Sequence, residues 1–353
     1  MKKAGESDSV KESYPRHRES RFHPVVFVAS ATLIFLFVVG SLLFRESALH
    51  AFTLLKDTLT EAFDWFFIAA VNVFLAVSVY FIFSRHGNIR LGGRKAKPEF
   101  GFFTWMCMLF SAGMGIGLVY WSVAEPIIHF QAPPLNGIPD ESPRAANLSM
   151  AVTYFHWGLH AWGIYALMGM ALAYFAYNKG LPLTIRSTLH PLLGDKVDGP
   201  WGNIVDIVAS VATLFGVATS LGFGVQQINA GLNYAFGVEQ GPQMQAMLIA
   251  IITAIATVSV VSGLDVGIRR LSEANMLIAL GLMLFIFLVG PTVSFIDALI
   301  QNVGAYAGYF LKLSTWMDTY QDDGWRTGWT VFYWAWWIAW SPFVGMFIAR
   351  ISK

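Results

Sequence analysis

The sequence has little charge and almost no cysteine. Asp, Glu, Lys and Arg make up 13% of the 353 residues, whereas hydrophobic residues make up 56% and the mean hydropathy is +0.54. This balance is typical of a polytopic membrane protein. The single cysteine, Cys107, lies in an apolar run, which excludes a disulfide within these residues and predicts a buried thiol. The formal net charge of +1 gives no indication of a nucleic acid or another highly charged partner.

A cleavable secretory signal and a catalytic constellation are also missing. Residues 1–22 are polar and of mixed charge, which predicts a disordered cytoplasmic tail before a single transmembrane domain at 23–353. Ionisable residues within apolar segments are few, and we place Asp64, Glu125 and Asp206 towards the ends of their spans. Because no nucleophile–base or acid–base pair appears among them, the sequence does not predict an enzyme.

Eight apolar segments are long enough to cross a bilayer, which takes about 20 residues. They cover residues 24–44, 60–83, 101–130, 147–177, 203–233, 243–263, 274–295 and 327–350. Most of the 23 Lys and Arg residues fall on the inner side if the amino terminus is cytoplasmic, so the positive-inside rule predicts that orientation. Between the last two spans, residues 294–312 are amphipathic and are expected on the outer surface or against a partner subunit. The residues expected to share one face of it are Val303, Tyr306, Phe310 and Leu311.

The eighth span has tryptophans in its middle, whereas interfacial tryptophans lie at the ends of a span. They are Trp334, Trp336, Trp337 and Trp340. Ser341, Pro342 and Gly345 follow and predict that the helix is interrupted just past its midpoint. An interruption at mid-depth survives only where protein or water covers it, so we favour a cavity beside these rings over a simple packed core.

The third span contains SAGMGIG at 111–117, with glycine at every second position. Each glycine costs about 1 kcal/mol in a helix relative to alanine. Close packing of helices through small residues is one explanation, although its usual spacing is four residues. An unwound segment, whose amides and carbonyls are free to bind an ion and an anionic group, fits Gly113, Gly115 and Gly117 better.

The fourth span holds aromatic residues that fit one broad face of a helix. At 100° per residue, Tyr165 lies about 80° from Trp157 and about 60° from Trp162. Aromatic faces attract a cation by about 2 kcal/mol when desolvated, and several together form a cage for quaternary ammonium. A core stripe is the alternative for any single ring. We expect His156 and His160 to be hydrogen-bonded core residues, since no Cys, Asp or Glu accompanies them as a metal ligand.

The fifth span carries hydroxyl and amide side chains in an apolar segment. They are Thr213, Thr219, Ser220, Gln226, Gln227 and Asn229. Ser and Thr in membrane helices often bond to their own helix, which we expect for most of this set. Thr213 is the exception, because of the resemblance described next.

Four stretches together resemble the betaine/choline/carnitine transporter family. They are SAGMGIGLVYWSVAEP (111–126), FHWGLHAWGIYAL (155–167), ATLFGVATSLGFG (212–224) and WTVFYWAWWIAWSPFVGMFIARIS (329–352). The resemblance implies an all-α polytopic membrane protein with the inverted-repeat (LeuT-like) transporter fold, in which two peripheral helices precede two inverted repeats of five, commonly as a homotrimer. Residues 23–353 would then contain the peripheral helices, the first repeat and the first helix of the second. Relatives continue through four more helices, so these 353 residues alone are not expected to transport.

The resemblance also implies a site for a trimethylammonium solute. In relatives, residues matching Trp157, Trp162, Tyr165 and Trp337 cage the ammonium group, Met114 and the glycine backbone line the other side, and Trp340 lies on the inward path. The predicted substrate-binding residues are Met114, Trp157, Trp162, Tyr165, Trp336, Trp337 and Trp340. The predicted sodium-binding residues are Ser111, Met114, Thr213 and Phe343. Val217, which has no hydroxyl, matches a further residue of the relatives' sodium site.

These matches predict a sodium-coupled importer of glycine betaine, or of a close compatible solute such as ectoine or proline betaine, that serves osmoprotection in a bacterial inner membrane. Sodium, as the coupling ion, is the one cofactor expected. Gly117 stands where proton-coupled choline carriers often have Asp, which favours a zwitterion and sodium. A proton-coupled choline carrier or a carnitine/betaine exchanger is the alternative. A non-transporting membrane sensor on the same fold is an alternative of another class.

Overall fold

The computed structural model describes residues 23–113, 115–320 and 324–353, and the regular elements within them are all helical. The predicted tail at 1–22 therefore lies outside the described residues, as does Met114. The α-helices are α1 (Pro24–Leu43), α2 (Arg45–Ala62), α3 (Asp64–Phe83), α4 (Phe102–Gly113), α5 (Ile116–Gln131), α6 (Pro143–Trp157), α7 (Leu159–Ala173), α8 (Ile185–Thr188), α9 (His190–Leu193), α10 (Pro200–Phe236), α11 (Pro242–Val261), α12 (Arg269–Val289), α13 (Thr292–Thr315) and α14 (Phe332–Ile351). Short π-helical segments occupy Tyr174–Asn178, Leu264–Ile268 and Thr327–Val331.

Within the described residues, seven helical segments are long and apolar enough to cross a membrane, and the bent pair α4–α5 makes an eighth if it is counted as one span. These segments coincide with the eight spans predicted from the sequence. The longest helix, α10, has 37 residues. At 1.5 Å per residue it exceeds the hydrocarbon core, so it must tilt or extend beyond the bilayer.

Local sequence explains where the long helices begin and end. Pro143 opens α6, where the Ser142 hydroxyl accepts a hydrogen bond from the amide of Ala145 at 3.1 Å. Pro200 opens α10, and Gly237 ends it with φ at 68°, a conformation that glycine adopts without a steric penalty. Proline at the start and glycine just past the end therefore bound these apolar segments.

Two of the predicted spans are interrupted near their middle. In the third, α4 ends at Gly113 and α5 begins at Ile116, and the two halves are bent by 57°. In the fourth, Gly158 separates α6 from α7, and a Cβ at Gly158 would lie 2.3 Å from the carbonyl oxygen of Tyr154. The expectation of one continuous helix through the fourth span is therefore wrong, because a glycine conformation interrupts it.

The eighth span is not interrupted, and the break predicted at Ser341, Pro342 and Gly345 is wrong. Helix α14 runs from Phe332 to Ile351 with Pro342 inside it. Pro342 has no amide proton to donate to the carbonyl of Ile338, four residues earlier. The Ser341 hydroxyl donates to that carbonyl at 2.9 Å instead. The serine thus supplies the donor that proline removes, and the helix continues.

Helices α7 and α14 form the central contact of the fold, through glycine. A Cβ on Gly345 would lie 2.4 Å from Cγ of Met168, and a Cβ on Gly169 would lie 2.8 Å from Cγ2 of Ile348. Small residues let the two helix backbones approach closely, as in other membrane helix pairs. The core beside this contact is aromatic, and Trp334 is only 1% exposed within it. The close approach brings the aromatic faces of the fourth and eighth spans together.

Two amphipathic helices differ from the sequence prediction. The sequence did not predict α2, because its polar residues interrupt every long apolar run. Helix α13 covers the predicted amphipathic segment and packs on α6, with the ring of Tyr306 6.0 Å from that of Tyr154. Its Phe310 contacts His160. Val303 and Leu311 are 55% and 74% exposed, so the chain itself leaves these two residues of the predicted face uncovered.

Two ion pairs fix helix ends. Arg326 contacts Asp64, the first residue of α3, with Nη2 2.6 Å from Oδ2. Arg186 contacts Asp206 near the start of α10 through both its backbone amide and its guanidinium. The structure thus places Asp64 and Asp206 near helix ends, as predicted, and gives each a cationic partner.

Candidate functional site

A cavity of about 120 Å³ lies where the two interrupted spans meet α10 and α14. Its lining residues are Ala112, Gly113, Gly115, Gly117, Leu118, Trp157, Ala161, Trp162, Tyr165, Ser220, Phe223, Trp336, Trp337 and Trp340. They include the three glycines of the predicted unwound segment and every predicted substrate-binding residue except Met114, which lies outside the described residues. The structure therefore brings these distant parts of the sequence to one place.

The glycines leave room for the rings opposite them. A Cβ on Gly113 would lie 2.5 Å from Cζ2 of Trp162, so any side chain there would displace the indole. A Cβ on Gly117 would lie 3.9 Å from Cη2 of Trp157, an ordinary contact distance, and one on Gly115 would meet nothing within 4 Å. Gly113 is thus required for packing, whereas Gly115 and Gly117 lie at the break where backbone polar groups leave the helical pattern.

Four rings, here called the aromatic cage, surround one side of the cavity. They are Trp157, Trp162, Tyr165 and Trp337. Trp157 and Trp337 meet at a centroid distance of 5.0 Å and an angle of 68°, and Trp162 meets Tyr165 at 6.1 Å and 84°. The ring of Tyr165 lies 6.3 Å from that of Trp337. Rings at such angles present faces and edges to a common space, the arrangement in which aromatic groups hold a cation.

Trp157, Trp162 and Tyr165 do not belong to one continuous helix. A continuous helix was assumed, but Trp157 is the last residue of α6 while Trp162 and Tyr165 belong to α7. Gly158 lies between them outside the helical pattern, although Pro143–Asn178 remains one span. The rings line the same cavity together with Trp337 of α14, and a single helical periodicity does not relate all three of them.

Three polar atoms at the cavity have no hydrogen-bond partner among the described residues. They are the indole nitrogens of Trp336 and Trp340 and the hydroxyl of Ser220, all of them buried. Buried polar groups are nearly always paired, so these three groups lack the partner that such groups normally have. No charged side chain of the described residues lines the cavity. The cavity therefore combines aromatic faces with a few neutral donors.

Two cavity residues of α10 were not predicted as site residues. Ser220 was expected to bond to its own helix, but its buried hydroxyl has no such bond. Phe223 contacts Trp336, with the ring centroids 6.0 Å apart. Both belong to the stretch ATLFGVATSLGFG, so the resemblance contained a signal for them, whereas the local sequence marked neither.

The predicted sodium ligands are only partly brought together. Thr213 and Phe343 line one groove of about 880 Å³ between α1, α10 and α14. Ser111 lines neither that groove nor the cavity, and its buried hydroxyl has no hydrogen-bond partner. Thr213 and Phe343 thus line the same groove, and Ser111 does not line it.

A buried polar cluster behind Trp157 was missed by the sequence prediction. Glu125, on α5, is fully buried. Its Oε2 accepts hydrogen bonds from the indole of Trp157 and from the hydroxyl of Tyr333, both at 2.8 Å. Its Oε1 contacts Nδ1 of His156 and lies 3.5 Å from Nε2 of His129. Although Glu125 was placed towards the end of a span, the structure places it against the wall of the cavity.

The cluster also revises the expectation for the histidines. His160 bonds Asn72 and Ser314, and His156 bonds Glu125 and Thr330, so both are hydrogen-bonded core residues as expected. The stated reason, that no acid accompanies them, is wrong. Potential ligand atoms of Glu125, His129 and His156 lie within 4.8 Å of one another, which meets a first condition for a metal site. The direct contact between Glu125 and His156 already satisfies both groups without an ion.

Comparison with known proteins places these features in a family. The model of the betaine/carnitine/choline family transporter matches residues 25–353. The glycine betaine transporter of Acinetobacter baylyi is 47% identical over 342 residues, which cover 96% of this chain and 52% of that protein. A glycine betaine/proline/choline transporter of Vibrio parahaemolyticus is 46% identical, with 94% of this chain and 62% of that protein covered. The high-affinity choline transport protein of Escherichia coli is 44% identical, with 97% and 50% covered.

This chain thus spans between half and two thirds of the length of the curated relatives it matches. The matched region includes the glycine break, the aromatic cage and the polar cluster. The chain is a member of the betaine/carnitine/choline transporter family.

Proposed function

We propose that the chain carries the substrate site of a sodium-coupled importer of glycine betaine or a similar compatible solute. The observation that supports this most is the cavity itself, in which aromatic faces and neutral donors occur without a charged side chain among the described lining residues. A trimethylammonium group has no N–H to donate, so aromatic faces bind it better than hydrogen-bond acceptors do. The aromatic cage suits this group.

The carboxylate of a zwitterion needs donors on the other side. The indole N–H groups of Trp336 and Trp340 and the hydroxyl of Ser220 are buried and unpartnered, and we assign them this role. Backbone amides at Gly115 and Gly117, where the helix is interrupted, are further candidates. Neutral donors bind a carboxylate without placing a full charge beside the ammonium, which favours a zwitterion.

The relatives support the same substrate class. Their names record glycine betaine, proline and choline, and they are similar to this chain over nearly all of its length. Sodium coupling through Thr213 and Phe343, with Ser111 and Met114, remains our proposal and extends from the resemblance. We likewise propose osmoprotection, a homotrimer and a bacterial inner membrane, all from the resemblance. A cytoplasmic amino terminus is proposed from the distribution of Lys and Arg.

Two measurements test the proposal, one of binding and one of uptake. Tryptophan fluorescence of the purified chain in lipid nanodiscs is titrated with glycine betaine and with choline, and we expect saturable changes at lower concentrations for glycine betaine. A variant with Trp157→Leu and Trp162→Leu is the control, and we expect it to lose the response. If neither solute changes the fluorescence of the wild-type chain, the site does not bind this class of solute.

A measurement of uptake distinguishes sodium coupling from proton coupling, and a transporter from a sensor. Labelled glycine betaine is supplied to bacterial cells that lack their own betaine and choline carriers, with sodium present or replaced by potassium. Because the 353 residues alone are not expected to transport, they are expressed in place of the matching part of the A. baylyi relative, and we expect accumulation that requires sodium. Accumulation of choline driven by a pH gradient without sodium would favour the choline carrier instead, the alternative that the choline-transporting relatives support. Binding without any uptake by this longer protein would favour a sensor.

A further inference from the structure

Glu125 is the acid that lies against the aromatic cage, and it reaches the cage through Trp157. The indole of Trp157 lines the cavity with its ring and donates its N–H away from the cavity to Oε2 of Glu125 at 2.8 Å. Glu125 itself is fully buried and does not line the cavity. One side chain therefore has a ligand-facing surface and an anionic partner on its polar edge.

The contacts around Glu125 are those of an ionised carboxylate. An indole N–H can only donate, and the hydroxyl of Tyr333 donates to the same oxygen at 2.8 Å, so Oε2 acts purely as an acceptor. Oε1 contacts Nδ1 of His156, whose Nε2 lies 2.9 Å from the hydroxyl of Thr330. A neutral His156 with its proton on Nδ1 satisfies both contacts, because the Thr330 hydroxyl then donates to Nε2. With His129, 3.5 Å from Oε1, also neutral, the cluster carries one net negative charge.

That charge acts on the ring that faces the solute. A hydrogen bond to a carboxylate polarises the indole and makes its π face more negative, which strengthens its attraction for a cation. A buried charge close to the cavity also attracts an ammonium group directly, since the surrounding dielectric is low. A quaternary ammonium cannot hydrogen-bond to Glu125, so both effects operate through the ring and through space.

The same cluster orients other cage rings. Tyr333, held by Glu125, packs on Trp337 at a centroid distance of 5.6 Å and on Trp157 at 5.5 Å. The indole of Trp337 donates to the backbone carbonyl of His156 at 3.1 Å. Two of the four cage rings therefore take their orientation from Glu125 and its neighbours.

From these contacts we propose that Glu125 is a positioning residue for the ammonium site, whose carboxylate orients Trp157 and supplies the negative charge that selects a cationic group over a neutral one of the same shape. This inference rests on the proposed function and adds to it the residue that sets charge selectivity. A purely structural role would keep the rings in place but would not distinguish a charged solute from a neutral isostere.

The test compares choline with its neutral carbon isostere, in which a tert-butyl group replaces the trimethylammonium. Dissociation constants for both are measured by tryptophan fluorescence on the whole 353-residue chain and on Glu125→Gln, which keeps the shape and removes the charge. We expect the preference of the wild-type chain for choline over the isostere to fall at least about tenfold in the variant. An equal loss of affinity for both solutes, or an unchanged preference, would overturn the proposal.

Trp157→Phe and Trp162→Phe form a matched pair for the route through the ring. Both lose an indole, but only Trp157 donates to a carboxylate among the described residues. We expect Trp157→Phe to reduce the preference for choline over the isostere several-fold more than Trp162→Phe does. We also expect Glu125→Gln to reduce that preference less in the Trp157→Phe variant than in the wild-type chain. Equal effects of the two Phe variants would overturn the proposal, and this comparison also decides it if Glu125→Gln does not fold.

Failure of the wider function gives a different result. If the wild-type chain binds neither choline nor glycine betaine, both the proposed function and this inference are wrong. If it binds them and prefers choline to the isostere, but Glu125→Gln keeps that preference, only the role of Glu125 is wrong.

Discussion

Gly113 lies against the indole of Trp162 at the wall of the cavity. A Cβ on Gly113 would lie 2.5 Å from Cζ2 and 2.7 Å from Cη2 of the indole, so no side chain fits there. Because Gly113 is the last residue of α4, the helix break and the position of a cage ring are set at the same point. The glycine therefore has two roles, in ending the helix and in seating the tryptophan.

Gly113→Ala is expected to displace Trp162 and to weaken glycine betaine binding by at least about 1 kcal/mol, which is about fivefold in the dissociation constant. Overpacking is expected to lower the free energy of unfolding by about 1–3 kcal/mol as well. Fluorescence titration and thermal unfolding measure the two effects. Gly304→Ala is the control, since a Cβ there meets nothing within 4 Å. Equal behaviour of the two variants would show that Trp162 is not seated by Gly113.

Trp162→Leu keeps an apolar side chain and removes the indole face. If the aromatic cage binds the ammonium group, the affinity for glycine betaine is expected to fall by at least about 1 kcal/mol, since leucine has no quadrupole to attract a cation. The midpoint of the fluorescence titration gives the change. Trp201→Leu is the matched control, because Trp201 is 64% exposed at the start of α10 and lines no part of the cavity. A midpoint unchanged by Trp162→Leu would exclude this ring from the cage.

The spans were predictable because each is a long apolar segment, and hydropathy alone locates such segments. The continuity of α14 was not predictable, since proline in a helix normally predicts a break. Here Ser341 compensates by donating to the carbonyl of Ile338. A serine directly before the proline was visible in the sequence, but nothing local shows which acceptor its hydroxyl meets.

The candidate site was predictable to different degrees. The density of aromatic residues in two spans indicated the cage, whereas the break at Gly158 that orients Trp157 depends on a backbone conformation. The contact of Glu125 with His156 joins α5 to α6 and leaves no periodic pattern. The four-residue spacing of Glu125 and His129 was a usable signal, since residues at that spacing share a helix face.

Gly117→Asp tests what determines the coupling ion. A Cβ at Gly117 would meet only Cη2 of Trp157, at 3.9 Å, an ordinary contact distance, so the Cβ displaces no ring. A carboxylate at this depth is costly unless a proton or a cationic substrate compensates it. When residues 1–353 replace the matching part of the A. baylyi relative, the variant is therefore expected to gain choline uptake driven by a pH gradient, measured in carrier-deficient cells with sodium replaced by potassium. Uptake that remains dependent on sodium and excludes choline would show that the position has no such role.

Glu99 and Arg350 provide a pH-dependent contact between the segment before α4 and the last turn of α14. The guanidinium lies 2.9 Å and 3.4 Å from the two carboxylate oxygens. The hydrogen bonds from Arg350 lower the pKa of Glu99 below its ordinary value, with burial opposing them. Since the folded-state pKa is the lower one, the contact stabilises the fold above the ordinary pKa of about 4.3, and this stabilisation is lost as the pH falls through the folded value.

Arg350→Gln is therefore expected to lower the unfolding temperature at pH 7 and to have a smaller effect in acid, below the lowered pKa of Glu99, where this carboxyl is protonated in both proteins. Both side chains are partly exposed, at 40% and 35%, so the expected difference at pH 7 is small, about 0.2–1 kcal/mol. Thermal unfolding of the two proteins across this pH range measures it. Arg94→Gln is the control, because Arg94 is exposed in the preceding loop and forms no ion pair within the described residues. A difference between wild type and Arg350→Gln that stays constant from pH 7 to below the lowered pKa of Glu99 would assign the effect to the helix terminus, where a cation is favourable at any pH, and not to Glu99.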